Sequence, residues 1–301
     1  MPTRLLCPRW LILAVVLVVA TVSARAQSPK PAQCSYSFFP TVFFTPPLSR
    51  YSQFFPFGIN DFRTVVGGAF QTGFIRWANG GYTFPAGTGS LADRNDKGVS
   101  IGYDNSSSPI LLENGAVTPL TVTTGTNILS GPGLVVSRIN KWSSIVGWYC
   151  DGAGIAHGYK RFANGHGMRL DFPAHFTEIN AGTFPTGIND LGMIVGFTQI
   201  PYHAFVYYKQ KWATLRFPNA NATSLLGISN AGVMIGSADL KDGSTTGFRY
   251  KDGKFETITP PGTTGPGVGS NVTAISLRTG LILGFADLKN SPRQGFIAKC
   301  K

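Results

Sequence analysis

Charge is scarce in this sequence: Asp, Glu, Lys and Arg make up 13% of its 301 residues, about half the share of an average soluble domain. That scarcity argues against long solvated helices and coiled coils. Basic runs are also missing. Lys and Arg stand singly and in pairs, so the net charge of +12 reads as a dispersed surface and not as a nucleic-acid interface. The alternating Asp residues of a calcium loop, a Gly-x-Ser-x-Gly elbow and a Walker loop are all absent, which leaves no standard catalytic motif. Backbone punctuation is abundant, with 37 Gly and 20 Pro, and so is apolar surface, with 43% hydrophobic residues and 22 Phe. So much apolar surface excludes a disordered chain, and the punctuation points to many short strands.

The N-terminus has the three parts of an export signal: Arg4 and Arg9, an apolar run from Trp10 to Val22, and the small-x-small site Ala24-Arg25-Ala26. A signal peptide is expected over 1–26, followed by a linker over 27–33 and a single domain over 34–301. The apolar run is shorter than the roughly 20 residues that span a bilayer, so no membrane anchor is expected. The mature protein reads as secreted or periplasmic, monomeric and without cofactor. Loss of Arg4, Arg9 and Arg25 lowers the net charge to +9.

An internal repeat decides the fold class. The segment Gly187-Ile188-Asn189-Asp190-Leu191-Gly192-Met193-Ile194-Val195-Gly196 recurs in degraded form, with closing glycines at Gly67, Gly102, Gly147, Gly196, Gly236 and Gly284. Their mean spacing is about 43 residues, the size of a propeller blade. Each unit runs in a fixed order: a strand, an Asn-Asp-x-Gly turn, an apolar strand, a variable loop, an aromatic strand such as His203-Ala204-Phe205, a tight turn, and a strand ending at proline. Asn79-Gly80, Asn114-Gly115, Asn164-Gly165 and Asp252-Gly253 carry the tight turns, where both residues are expected at positive φ. The closing prolines are Pro85, Pro119, Pro173, Pro218 and Pro260. Six units predict an all-β, six-bladed β-propeller of four-stranded antiparallel blades. The second is the weakest match, because Pro109-Ile110-Leu111 stands where the others have an aromatic strand.

The sixth unit stops after its third strand, at Phe296 to Cys300, while Tyr36 to Pro40 reads as a fourth strand without the first three. Lending this N-terminal strand to the last blade closes the ring. Cys34 and Cys300 then flank one junction, and a disulfide between them is expected in an exported protein. Cys150 is left as the odd cysteine of the mature chain, expected as a buried thiol.

The export signal, the Gly-Ile-Asn-Asp unit and the tripeptide His203-Ala204-Phe205 together resemble the bacterial extracellular HAF-type repeat family, with His157-Gly158-Tyr159 as a near match. Thr72, Ser108, Thr246 and Gln294 replace the His in other units. The resemblance spans 34–301. It implies a secreted repeat protein and supplies no catalytic residue.

In an up-and-down blade the two short turns share one face, and the variable loops share the other. Binding residues are expected on the loop-rich face, near the channel. Tyr103, Trp148, Tyr149 and Tyr202 end strands or lie in loops there and suit stacking on sugar rings, unless they only cap the core between blades. His157 and His203 hold equivalent repeat positions, with His175 and Glu178 in the loop between them. Two repeat-related histidines fall short of the three or four ligands of a zinc site. Asp239 and Asp287 stand in duplicated Ala-Asp-Leu-Lys segments and offer two carboxylates for glycoside chemistry, though duplication of a blade explains the same pair without chemistry and is the favoured reading. The leading expectation is a non-catalytic binder of an extracellular glycan, matrix polymer or protein. The alternative is a polysaccharide hydrolase or lyase.

Overall fold

The computed structural model describes residues 29–40, 42–43, 52–69, 71–173, 182–199, 202–263, 269–287 and 293–301. The expected signal peptide, His175 and Glu178 lie outside them. Six antiparallel sheets form the six-bladed propeller. From inner to outer strand, blade 1 is Ser52–Ile59, Val65–Ala69, Thr72–Arg76 and Tyr82–Thr83, with Val42–Phe43 added on the inner strand. Blade 2 is Ser90–Arg94, Ser100–Tyr103, Pro109–Glu113 and Ala116–Pro119. Blade 3 is Leu134–Ile139, Ile145–Cys150, Ala156–Arg161 and Gly167–Leu170, and blade 4 is Thr183–Ile188, Ile194–Thr198, Ala204–Tyr208 and Lys211–Leu215. Blade 5 is Ala220–Ile228, Met234–Leu240, Thr245–Lys251 and Lys254–Thr257. Blade 6 joins Gly269–Ile275, Ile282–Asp287 and Gln294–Cys300 to the N-terminal strand Cys34–Pro40.

The ring therefore closes as the repeat accounting requires. Cys34 pairs in register with Cys300, and the two are disulfide-bonded with Cα atoms 4.0 Å apart. Within the expected linker, Lys30–Pro31 adds a short parallel strand to the outer edge of blade 5. The connection from Leu120 to Leu134, expected as a variable loop, folds into the hairpin Val122–Thr124 and Asn127–Leu129, with Val122 fully buried and Thr123 bridged to His166 of blade 3.

The core sits between blades. Phe74, Tyr159, Phe205, Phe248 and Phe296, the rings of the aromatic strands, are fully buried, each a burial worth about 2–3 kcal/mol. The seam between blades 6 and 1 is packed like the others, by Phe39, Phe54, Phe74, Leu283 and Ile297. In five of the six repeats the closing glycine faces an aromatic ring, and Gly102 of the second meets the backbone of Ser90 and Leu91 instead. A Cβ on Gly196 would lie 2.1 Å from Phe184 O and 2.7 Å from Phe205 Cζ, and Gly236 and Gly284 meet Phe248 and Phe296 in the same way. At Gly147 the ring is a tyrosine, whose hydroxyl donates to Val135 O at 2.8 Å.

The Asn-Asp-x-Gly turns stitch the blades together. Each Asn uses its side-chain oxygen within its own turn; Asn189 Oδ1 accepts the N–H groups of Leu191 and Met193. Its Nδ2 donates to the next blade, so that Asn60, Asn95, Asn140 and Asn189 bond to the carbonyls of Asn95, Asn140, Asn189 and Ser229 at 3.0–3.4 Å. Blades 5 and 6 carry Ser229 and Ser276 instead, and the backbone bond from Asn230 N to Leu277 O takes over. Buried Thr residues secure the connections between blades, with Thr183 Oγ1 and Thr223 Oγ1 accepting from Phe172 N and Phe217 N.

Two expectations need correction. Positive φ at both turn residues holds for Asn114-Gly115 and Asp252-Gly253, but at Asn79-Gly80 and Asn164-Gly165 only the glycine adopts it. There the Asn side chain accepts the N–H two residues on, from Gly81 or His166, which favours a different turn. Cys150, expected to be buried, is exposed, because it is the last residue of its strand.

Candidate functional site

Every inner strand carries a β-bulge at the same place. The register shifts at Pro56/Gly58, Leu91/Asp93, Val136/Arg138, Pro185/Gly187, Leu225/Gly227 and Val272/Ala274. A bulge leaves one residue unpaired and re-aims it. The six bulged residues are Phe57, Ala92, Ser137, Thr186, Leu226 and Thr273, and all six line one central cavity of about 380 Å³. One residue from each blade thus converges on the propeller axis.

The residue after each bulge makes the floor. In ring order these residues are Gly58, Asp93, Arg138, Gly187, Gly227 and Ala274, four small side chains and one ion of each sign. The small residues leave the space that the two long ones fill: a Cβ on Gly58 would sit 2.5 Å from Asp93 Oδ1. Arg138 reaches across the axis from blade 3, donating from Nη2 to Thr273 O of blade 6 and from Nη1 to Ser137 O at 2.8 Å. Asp93 Oδ2 accepts the Ile139 N–H at 3.0 Å. Burial pushes the Asp93 carboxyl up, partly offset by the Arg138 charge, and burial pulls the Arg138 guanidinium down. Below them, the turns close the opposite end of the channel, where only a small void remains between Asn60, Asn95 and the floor residues.

At the loop-rich end the cavity continues, past Ser90 and Tyr103, into a groove of about 510 Å³ formed by blades 1 to 3. Gln71, Asp104, Asn105 and Ser107 supply amide, carboxylate and hydroxyl groups on its wall, with Pro132 and Val135 opposite. Asp104 is fixed, since its Oδ1 accepts the N–H groups of Ser106 and Ser108 at 2.8 Å. The side chains of Gln71, Asn105 and Ser107 are exposed.

Of the described residues singled out from sequence, Tyr103 alone lines this site. Its hydroxyl accepts the Val136 N–H at 2.9 Å and faces Val136 O, which ties blade 2 to blade 3. Trp148 stacks edge-on against Phe184, with ring centroids 5.1 Å apart. Tyr149 lies against His157, 5.5 Å centroid to centroid, and Tyr202 is exposed. His157 is buried with both ring nitrogens facing carboxylates, Asp171 Oδ1 at 2.8 Å and Asp151 Oδ2 at 3.1 Å. That hydrogen bond holds the Asp151 carboxyl below its ordinary range. Among the described residues the His203 ring has no such carboxylate partners, and its backbone N–H donates to Thr198 Oγ1. Asp239 accepts from Thr245 Oγ1, and Asp287 forms a two-point ion pair with Arg293. Among the described residues no group of three or more His, Cys, Asp or Glu is arranged to hold a metal ion. Asp93 and Arg138 were missed, although a signal existed: they stand at the first letter of repeats whose other copies begin with Gly or Ala.

No family model and no curated protein matches the chain. Solved propeller structures do. TolB from Acinetobacter baumannii aligns over 79% of this chain and 64% of its own at 12% identity and a TM-score of 0.50. The extracellular domain of a hybrid two-component system from B. thetaiotaomicron aligns over 88% and 42% at 8% identity and 0.50. Virginiamycin B lyase from Staphylococcus aureus aligns over 87% and 88% at 9% identity and 0.44. At these identities the likeness concerns the fold alone.

Proposed function

We propose that this propeller is an exported, non-catalytic binding protein of the HAF-repeat type whose loop-rich face takes an extracellular glycan. The groove of blades 1 to 3 carries that reading: its wall offers the exposed amides of Gln71 and Asn105 and the Ser107 hydroxyl beside the Tyr103 ring, the groups that hydrogen-bond and stack on a polyhydroxylated ligand. A disulfide between the chain ends suits an oxidising compartment, and among the described residues no helix is long and apolar enough to cross a membrane. Matrix polymers and proteins are other occupants that the same face would accept.

The test is retention of the mature protein on a panel of immobilised polysaccharides, beside a Gln71→Ala/Asn105→Ala variant. Retention that falls at least ~10-fold in the variant, with no release of reducing ends, is the expected result. Equal retention of both proteins, or none on any polysaccharide, would overturn the groove reading, and reducing ends would make it an enzyme.

A further inference from the structure

The channel holds one cation where the repeat calls for a small residue, and its guanidinium is only partly used. We propose that the central cavity is a blind cup that binds a small carboxylate with an apolar body, its anionic end on Arg138 and its body against the bulged ring above. The cup opens into the groove past Ser90 and Tyr103, but its floor at Arg138 and its bulged ring lie outside the groove's lining.

Three observations meet here. The first is shape: the cavity of about 380 Å³ is open toward the loops and floored by Arg138, which spans from blade 3 to Thr273 O on the opposite blade. Pockets of this size enclose ligands of drug-like or smaller dimensions. The second is lining. Phe57, Ala92, Val136, Leu226 and Val272 present apolar walls, and of the five hydroxyls in the lining, on Ser90, Tyr103, Ser137, Thr186 and Thr273, those of Tyr103, Thr186 and Thr273 are engaged by the backbone of Val136, Leu225 and Leu283. A sugar would leave most of its hydroxyls unpaired against such walls, whereas an arene or a short alkyl chain would not.

The third is charge. A guanidinium has five N–H donors, and two backbone carbonyls account for the hydrogen bonds Arg138 makes. Asp93 acts on it through space, without an ion pair between them, and is itself engaged by the Ile139 N–H. Arg138 is half-buried, its guanidinium desolvated at the bottom of the channel while the residue still lines the cavity. A planar fork with donors to spare at the bottom of an apolar cup is matched to a carboxylate, which can accept two parallel N–H bonds.

The experiment is calorimetric titration of the full mature chain with benzoate and octanoate, beside their neutral counterparts benzamide and octanamide. Two variants accompany it: Arg138→Met, which removes the fork, and Thr186→Trp, which fills the cup without touching the floor. Circular dichroism and the thermal midpoint establish that each is folded. The expected result is that at least one carboxylate binds, its neutral amide at least ~10-fold weaker, with binding lost in both variants. Should Arg138→Met fail to fold, Thr186→Trp and the carboxylate-to-amide ratio decide the question. Equal binding of acid and amide, binding unaffected by Thr186→Trp, or no binding by either carboxylate overturns the proposal. Loss of polysaccharide retention alone bears on the groove and not on the cup.

Discussion

Asp61 Oδ1 accepts the backbone N–H groups of Arg278 and Thr279, both at 2.8 Å, and the Thr279 hydroxyl at 3.1 Å. The two segments are separated by 217 residues, and the bonds join the first blade to the last on the turn face. The disulfide joins blade 6 to the N-terminal strand at its outer edge. The ring is thus held at both the axis and the rim.

Asp61→Ala removes the acceptor and leaves two N–H groups at the seam unpaired, so it should cost about 2–4 kcal/mol. Asp61→Asn keeps an acceptor oxygen and should cost clearly less. Urea unfolding midpoints of the two variants measure the difference; equal losses would mean that the contact contributes through charge alone.

Replacing Cys34 and Cys300 together by Ser should lower stability by about 2–5 kcal/mol, because the bond closes a very long loop in the unfolded chain. Reductant should shift the wild type to the same midpoint and leave the double variant unmoved. A wild type insensitive to reductant would contradict this.

Asp96 stands beside Asp61, accepting the Asp61 N–H at 3.0 Å. Burial, and then the hydrogen bond with Asp61 and its charge, push the Asp96 carboxyl up to about 6. Asp61 moves the other way: burial raises it, but the bonds from Thr279, Asp96 and Arg278 together bring it below its ordinary range. With a folded value above the unfolded value of 3.8, Asp96 keeps its proton in the fold over a range where the unfolded chain has lost it. Its contribution to stability is therefore complete below about pH 4 and lost as pH rises through about 6. The equivalent pair in blades 4 and 5 avoids this, since Asn230 Nδ2 donates to Asp190 Oδ2 at 2.6 Å. Asp96→Asn should match the wild type near pH 4 and exceed it in thermal midpoint above pH 6. A pH-independent difference would refute the assignment.

Gly196→Ala forces a Cβ against the Phe184 carbonyl and the Phe205 ring and should cost at least ~3 kcal/mol. Adding Phe205→Leu should not restore the loss, because the carbonyl is backbone. Gly152→Ala, where a Cβ meets nothing within 4 Å, is the control and should be near neutral by thermal denaturation.

Much of the fold was legible because its signals are local. Alternation and turn residues are written unit by unit, with strand-ending prolines and an aromatic strand after the closing glycine in most of them, and five copies outvote the degraded second one. Even the ring closure could be read, since an orphan strand at one end matched a missing strand at the other. The site was harder to read. Trp148 and Tyr149 have the residue types of a binding surface, yet pack on Phe184 and His157, and Asp239 and Asp287 are engaged within their own hairpins.

By itself the sequence determined the number of blades, their strand order, the rings in their cores and the cysteines at the seam, because each depends on contacts between near neighbours in a repeat. The tertiary structure alone decided what the axis contains. A bulge costs one unpaired residue and has no fixed letter, so Phe57, Ala92, Ser137, Thr186, Leu226 and Thr273 share no pattern. Only closure of the ring brings them to one cavity, and only there does Arg138 of blade 3 reach the carbonyl of Thr273 in blade 6.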